Sequence, residues 1–252
     1  MNTSNSLSIR RVAFLMYRHV FYNLKTYLMS FAAVASILIV ISLLSTLTNG
    51  GNFSEGGFIT LGELFLFIGG LLITSNIFKE ISSKHRGWFY MILPANPSEK
   101  IFSYWLLTTI GYFVISSLTL IISSIIISIL STLIFKTSFY VFNPFSVQYL
   151  EVFIHYSIAQ SLFFFGAIYF RKNNFIKTIL SVFVFVIILG ATSAFIMYLL
   201  FGSTGMELNN LNLSNDHFFT VILPYTAKAL YYGFMIPFFI TVSYFKLKER
   251  EV

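Results

Sequence analysis

Six long runs of apolar residues, almost free of charge, constrain this chain more than any other feature. They cover residues 28–47, 59–78, 101–135, 149–170, 178–201 and 218–245. A bilayer core of about 30 Å needs roughly 20 helical residues, so each run is long enough to cross it. Backbone N–H and C=O groups must be paired within lipid, and a helix pairs them internally. The sequence therefore predicts an all-α integral membrane protein with six transmembrane helices.

Basic residues are distributed unevenly among the segments between these runs. Fourteen of the sixteen Lys and Arg residues lie at positions 10, 11, 18, 25, 79, 84, 86, 100, 171, 172, 177, 246, 248 and 250. Cytoplasmic segments of membrane proteins carry such an excess, so we place these residues on the cytoplasmic side. The net charge of +7 then requires no nucleic-acid partner, and we expect none.

The third run, residues 101–135, is too long for one upright span and too short for two spans and a turn. Splitting it would move the later basic segments to the outer side, against the charge rule. We therefore predict one tilted helix here. The N- and C-termini are then both cytoplasmic, and residues 246–252 form a cytoplasmic tail.

The first 27 residues have a basic face and an apolar face. Arg11, Arg18 and Lys25 recur every seven residues and therefore align along one side of a helix. We predict an N-terminal interfacial amphipathic helix over residues 1–27 that leads into a transmembrane domain over residues 28–245. A simple cluster of positive charges before a membrane helix is the alternative.

Signatures of enzyme chemistry are missing from the sequence, so we expect no catalytic residue, bound cofactor or metal site in this chain. There is no cysteine, the four histidines are scattered, and the HExxH, GxSxG and P-loop patterns do not occur. Ionisable residues do occur near the outer ends of spans, at Glu63, Glu151, His155 and Lys228. Charges inside a membrane are costly, and we favour the interpretation that these residues snorkel to the nearby outer interface. The alternative is that Lys228, Glu63 and Glu151 line a substrate path.

The connection between the second and third runs, residues 79–100, is longer than two antiparallel helices need. Pro94 and Pro97 stiffen it, and Ser98 can cap a helix that begins at Glu99. We predict that this connection docks another protein in the cytoplasm, with pinning to lipid headgroups as the alternative. The predicted docking residues are Arg86, Trp88, Phe89, Leu93, Pro94, Glu99 and Lys100.

Part of this connection also resembles a known family. The stretch MILPANPSEKIFSYWL is similar to the Leu-Pro-Ala/Ser-x-x-x-Glu-Lys stretch before the third span of type-two ATP-binding-cassette (ABC) transporter permeases, especially those of Bacteroidetes-type bacteria. The matching residues are Leu93, Pro94, Ala95, Glu99 and Lys100, whereas Asn96 and Pro97 depart from the usual pattern. The resemblance implies a coupling helix in this connection. It also implies a transporter of two permease chains and two separate ATPase subunits, which bind the ATP and Mg²⁺.

We therefore interpret the chain as the permease subunit of an ABC transporter, and as an exporter, in the bacterial cytoplasmic (inner) membrane. Its partners would be the ATPase subunit, a second permease chain and the lipid bilayer. A non-transporting membrane anchor or assembly protein is one alternative. An ion-coupled secondary transporter is another, although such proteins usually carry ionisable groups near the middle of the membrane and paired broken helices.

Overall fold

The computed structural model describes residues 8–79, 95–136, 139–170, 172–201 and 223–251. These residues form helices and turns, with no strand among them. Six helices are long and apolar enough to cross a membrane, which confirms the predicted all-α, multi-pass architecture. They are α1 (Ile9–Thr48), α2 (Glu55–Asn76), α3 (Pro97–Phe135), α4 (Val147–Tyr169), α5 (Asn174–Phe201) and α6, which joins Leu223–Ala229, Leu230–Phe234 and Met235–Glu251.

Three of the six helices contain a π-helical turn. The turns are Phe65–Gly69 in α2, Leu107–Gly111 in α3 and Leu230–Phe234 in α6. A π turn widens a helix locally and is frequent at functional sites. The predicted third span is confirmed as one helix, because α3 continues through its π turn to Phe135.

The start of α3 differs from the prediction. The helix begins at Pro97 rather than Glu99, and Asn96 rather than Ser98 is the residue that precedes it. Proline is favoured at the first helical position because its missing N–H would have no partner there. Glu99 accepts a hydrogen bond from the Asn96 N–H at 3.1 Å, and this pairs a backbone group that the helix leaves free.

Helix α1 corrects a second prediction. The sequence predicts a separate interfacial helix over residues 1–27, but Ile9–Thr48 is one continuous helix of 40 residues. Residues 20–35 contain no glycine or proline that would break it. A helix of this length rises about 60 Å, twice the thickness of a bilayer core. About half of α1 therefore extends beyond the hydrocarbon layer.

Contacts between helices show the relative directions of α1, α3, α4 and α6. Helices α3 and α4 are antiparallel, with contacts between Thr109 and Gln160, Phe113 and Phe153, and Ser117 and Tyr149. Helices α1 and α3 are parallel, with contacts between Arg11 and Glu99, His19 and Tyr104, and Phe31 and Tyr112. Helices α4 and α6 are parallel, with contacts between His155 and Tyr231, Phe165 and Phe239, and Tyr169 and Arg250. These directions are the ones that six consecutive spans require of the four helices.

One end of the bundle collects most of the described basic residues, and we call it the basic end. Its core joins α2, α3, α4 and α6 through Ile77, Phe78, Ile101, Tyr104, Phe164, Ala167, Ile168 and Leu247. The N-terminal part of α1 packs there too, since Arg11 pairs with Glu99. The first and last described residues therefore lie at the same end of the bundle.

The helices differ in how far the bundle buries them. In the most apolar 18-residue window, 56% of the residues of α4 are buried, against none in α5. Helices α2, α3 and α4 form the interior, whereas α5 and most of α6 are peripheral. The interior helices are thus the ones that can build an enclosed site.

Candidate functional site

The π turns of α2 and α3 are held by tyrosines inside the bundle. The hydroxyl of Tyr112 donates to the carbonyl oxygen of Phe65 at 2.8 Å. The hydroxyl of Tyr156, on α4, donates to the carbonyl oxygen of Thr108 at 2.7 Å. Both rings are buried. Since a carbonyl that is unpaired in an apolar interior is costly, these bonds stabilise the irregular turns.

A glutamine extends this network. Gln160 is fully buried on α4, where its Nε2 donates to Thr108 Oγ1 at 2.7 Å. The hydroxyl of Thr109 donates to Gln160 Oε1 at 3.1 Å. Polar side chains that bond across helices help hold a membrane bundle together. The network therefore fixes α4 against the π turn of α3.

A cleft of about 770 Å³ lies between α1 and α2. The two helices are close at Phe31 and Phe65, whose rings are 6.1 Å apart, and residues on both sides line a space from there to the basic end. The lining residues are His19, Asn23, Thr26, Tyr27, Ser30, Phe31, Val34, Phe65, Gly69, Leu72, Ile73, Asn76, Ile77 and Lys79. The volume is within the range of small-molecule sites.

Polar side chains of the cleft are oriented by their own helices. Asn23 donates one amide N–H to the His19 carbonyl at 3.0 Å, and Asn76 donates one to the Leu72 carbonyl at 2.9 Å. The ring of His19 lies 3.0 Å from the Tyr27 hydroxyl, measured from Nε2. An amide group has two N–H donors, so each asparagine keeps a second one for another partner.

A buried ion pair joins α1 to the start of α3. Glu99 has no exposed surface, and its Oε1 lies 3.0 Å from Arg11 Nη2. The same oxygen accepts a hydrogen bond from the Ser8 N–H at 2.9 Å. Lys100, next in the chain, is also buried. The polypeptide that enters α3 is thereby tied to the N-terminal turn of α1.

The predicted docking residues fall into two groups. Arg86, Trp88, Phe89, Leu93 and Pro94 lie outside the described residues. Glu99 and Lys100 are described, and both are buried. Their burial follows from the packing of α1 over the start of α3, which the sequence does not indicate.

The three candidate substrate-path residues differ in exposure. Glu151 and Lys228 are exposed, and Glu63 is half-buried with its Oε1 shielded. Within the described part of the chain, neither carboxylate forms an ion pair with Lys228. His155, the other ionisable residue near the outer end of a span, does contact α6. Its Nδ1 lies 3.1 Å from the hydroxyl of Tyr231 in the π turn of α6.

Sequence reasoning missed the cleft, although a signal for it was present. His19, Asn23, Thr26, Tyr27 and Ser30 recur every three or four residues along α1, which places them on one side of the helix. When a polar stripe continues into an apolar span, it predicts that this side of the helix contacts something besides lipid. The basic residues of the same segment, by contrast, predict only an interfacial helix.

Comparison with known proteins identifies no relative, since no family model, curated protein or solved structure matches the chain. Among the described residues, no group of three His, Asp or Glu side chains could hold a metal ion. The cleft, the buried network and the basic end are therefore the features that bear on function.

Proposed function

We propose that this chain is the membrane-spanning subunit of an ABC transporter, and an exporter, which works with a separate ATPase chain and a second permease chain. The Leu93–Lys100 resemblance, the six alternating helices and the long connection at the basic end support this proposal. Its orientation in a bacterial inner membrane would place the basic end in the cytoplasm, where an ATPase could reach it.

The observation that carries the proposal is the anchoring of both ends of the connection between α2 and α3. On the α2 side, the ring of Phe78 packs edge-on against Tyr104 of α3 and Phe164 of α4, at 5.3 and 5.0 Å. On the α3 side, Glu99 is bound to α1 through Arg11. A force on this connection therefore reaches α1, α2, α3 and α4 together.

The same anchoring suggests how a partner moves the permease. ATP-driven closure of the ATPases pushes on residues 79–100, and the start of α3 moves with the N-terminal half of α1. Because the cleft lies between α1 and α2, this motion changes its width. Packed interfaces switch between discrete arrangements, so the permease alternates between two packings of α1.

The experiment that tests the proposal is purification of the tagged chain from its native membrane in mild detergent. We expect an ATPase with a P-loop to co-purify, and its ATP hydrolysis to depend on the reconstituted permease. Repeated recovery of the chain without such an ATPase would contradict the proposal. It would favour the membrane-anchor or secondary-transporter alternative.

Removal of two aromatic side chains from the connection should release the ATPase. We expect the Trp88→Ala/Phe89→Ala variant to bind the ATPase at least about 30-fold more weakly, because truncating an aromatic hot spot costs about 2 kcal/mol. Titration of the purified ATPase onto the immobilised permease measures this change. Phe14→Ala is the matched control, because Phe14 is an exposed aromatic residue near the basic end of α1. Equal affinity of the double variant and the wild type would refute docking through these residues.

The orientation gives a second prediction. Reporter domains fused after Lys84, Asn174 and Val252 should be cytoplasmic, and those fused after Ser54, Phe142 and Asn210 should be external. The physical reason is the excess of Lys and Arg at one end of the bundle. Paired cytoplasmic and periplasmic reporters at each position provide the measurement. An external signal after Val252 would overturn the orientation.

A further inference from the structure

We propose that the cleft between α1 and α2 binds one anionic phospholipid from the leaflet at the basic end, with its headgroup at Lys79 and an acyl chain directed toward Phe65. This inference does not depend on the proposed transport function. It follows from the length of the cleft, the order of its lining residues and its charge.

The length of the cleft matches one leaflet. Its deep end lies at Val34, Phe31 and Phe65. The rings of Phe31 and Phe65 pack there against Tyr112 of α3, with the three ring centroids 6.1 to 6.2 Å apart. From Phe65 to Lys79 the chain advances 14 residues, which corresponds to about 21 Å along a helix. Half of a bilayer core is about 15 Å, so the cleft spans one leaflet and reaches the headgroup region.

The lining changes from polar to apolar with depth. At the mouth are His19, Asn23, Asn76 and Lys79, and deeper in the cleft are Leu72, Ile73, Val34, Phe31 and Phe65. Thr26, Tyr27 and Ser30 lie between these two groups on the α1 side. A phospholipid has the same order of chemistry, from a charged headgroup to a hydrocarbon chain.

The charge at the mouth selects an anion. Lys79 is exposed, and none of the described residues that line the cleft is Asp or Glu. The second amide N–H of Asn23 and of Asn76 can donate to phosphate oxygens beside the Lys79 ammonium group. Basic pockets between membrane helices on the cytoplasmic side bind acidic headgroups in this way.

The cleft is also open to lipid from the side. Ser30 and Leu72 line it and are exposed, and Leu72 keeps 41% of its surface. A lipid can therefore enter laterally without leaving the bilayer. A soluble ligand in the same place would leave part of its surface in hydrocarbon, which is unfavourable for a polar molecule.

A tryptophan placed in the cleft tests the proposal. The two native tryptophans are replaced by phenylalanine, and Leu72→Trp is the reporter. The reference reporter is Ile187→Trp on α5, because Ile187 is 52% exposed and does not line the cleft. Each protein is reconstituted into phosphatidylcholine vesicles that contain a minor fraction of phosphatidylglycerol. In one set of vesicles the phosphatidylglycerol carries brominated acyl chains, and in a second set the phosphatidylcholine does. Bromine quenches tryptophan fluorescence on contact, so the quenching shows which lipid touches the reporter.

We expect brominated phosphatidylglycerol to quench the Leu72→Trp reporter well above its share of the lipid, and the Ile187→Trp reporter only in proportion to that share. Adding Lys79→Ala should weaken phosphatidylglycerol binding at the cleft about fivefold, the value of one basic residue near an acidic headgroup. Lys25→Ala should have little effect, because Lys25 is exposed on α1 but does not line the cleft. Unchanged quenching of Ile187→Trp in each variant shows that the protein is still folded and inserted.

Two outcomes overturn the proposal. If both lipids quench Leu72→Trp in proportion to their abundance, the cleft contains bulk lipid and has no headgroup selectivity. If neither lipid quenches it, a second copy, another protein or another segment of the chain covers the cleft.

Discussion

Replacing Glu99 with alanine should destabilise the folded chain by about 3 kcal/mol, the lower end of the range for breaking a buried ion pair. Glu99 is fully buried, and its carboxylate accepts hydrogen bonds from the N–H groups of Ser8 and Asn96 in addition to pairing with Arg11. The lower end applies because the Arg11 side chain is 37% exposed and can be rehydrated. Unfolding of the purified protein by denaturing detergent, followed by circular dichroism, measures the loss.

An exposed ion pair at the same end provides the control. Glu249 pairs with Lys246 in α6, and its side chain is 65% exposed. Such pairs contribute little, so Glu249→Ala should cost less than about 0.5 kcal/mol. The effect of Glu99→Ala should also persist at high salt, because the buried Glu99 carboxylate is poorly screened. Equal losses for the two variants would show that Glu99 is not buried against α1.

The second large effect is expected at Gly70, where α2 passes the ring of Tyr156. A Cβ atom at this position would lie 2.3 Å from Tyr156 Cε2. The ring cannot move freely, since it is fully buried and its hydroxyl donates to the Thr108 carbonyl at 2.7 Å. We expect Gly70→Ala to lower the free energy of unfolding by about 3 kcal/mol, the upper end of the range for overpacking a core.

Gly190 on α5 is the matched control, because a Cβ atom there would meet nothing within 4 Å. Gly190→Ala should leave stability unchanged or raise it slightly, since alanine favours the helix by about 1 kcal/mol. The same detergent unfolding assay compares the two variants. A Gly70→Ala protein as stable as Gly190→Ala would mean that α2 and α4 do not approach as closely as described.

Much of the architecture was predictable because hydrocarbon imposes a strict local rule. A backbone in lipid must pair its own polar groups, so an apolar run of sufficient length becomes a helix whatever its neighbours are. In the described part of the chain, each of the six runs contains a helix long enough to span, and even the long third run lies in a single helix. The ends of the helices were less predictable, since a helix continues past the apolar run until a residue stops it. Helix α1 therefore begins at Ile9, well before the predicted span at residue 28.

The candidate site was less predictable for a physical reason that is specific to membranes. Lipid is as apolar as leucine, so apolar residues do not mark the face of a helix that packs inward. The interior of this bundle is instead lined by small polar residues, among them Ser116, Ser123, Ser124, Ser128 and Ser131 of α3. These side chains let helices approach closely, and they are a better guide to the buried face than hydrophobicity.

The sequence by itself determined the number of spans, their helical form and the segregation of basic residues, because each depends on chain composition over a short range. Only the tertiary structure decided that Glu99 is buried under α1, that tyrosines bind the carbonyls of two π turns, and that α1 and α2 separate into a cleft. These features depend on which faces of distant helices meet. That choice is the sum of many weak contacts, none of which is visible in the local pattern of any one helix.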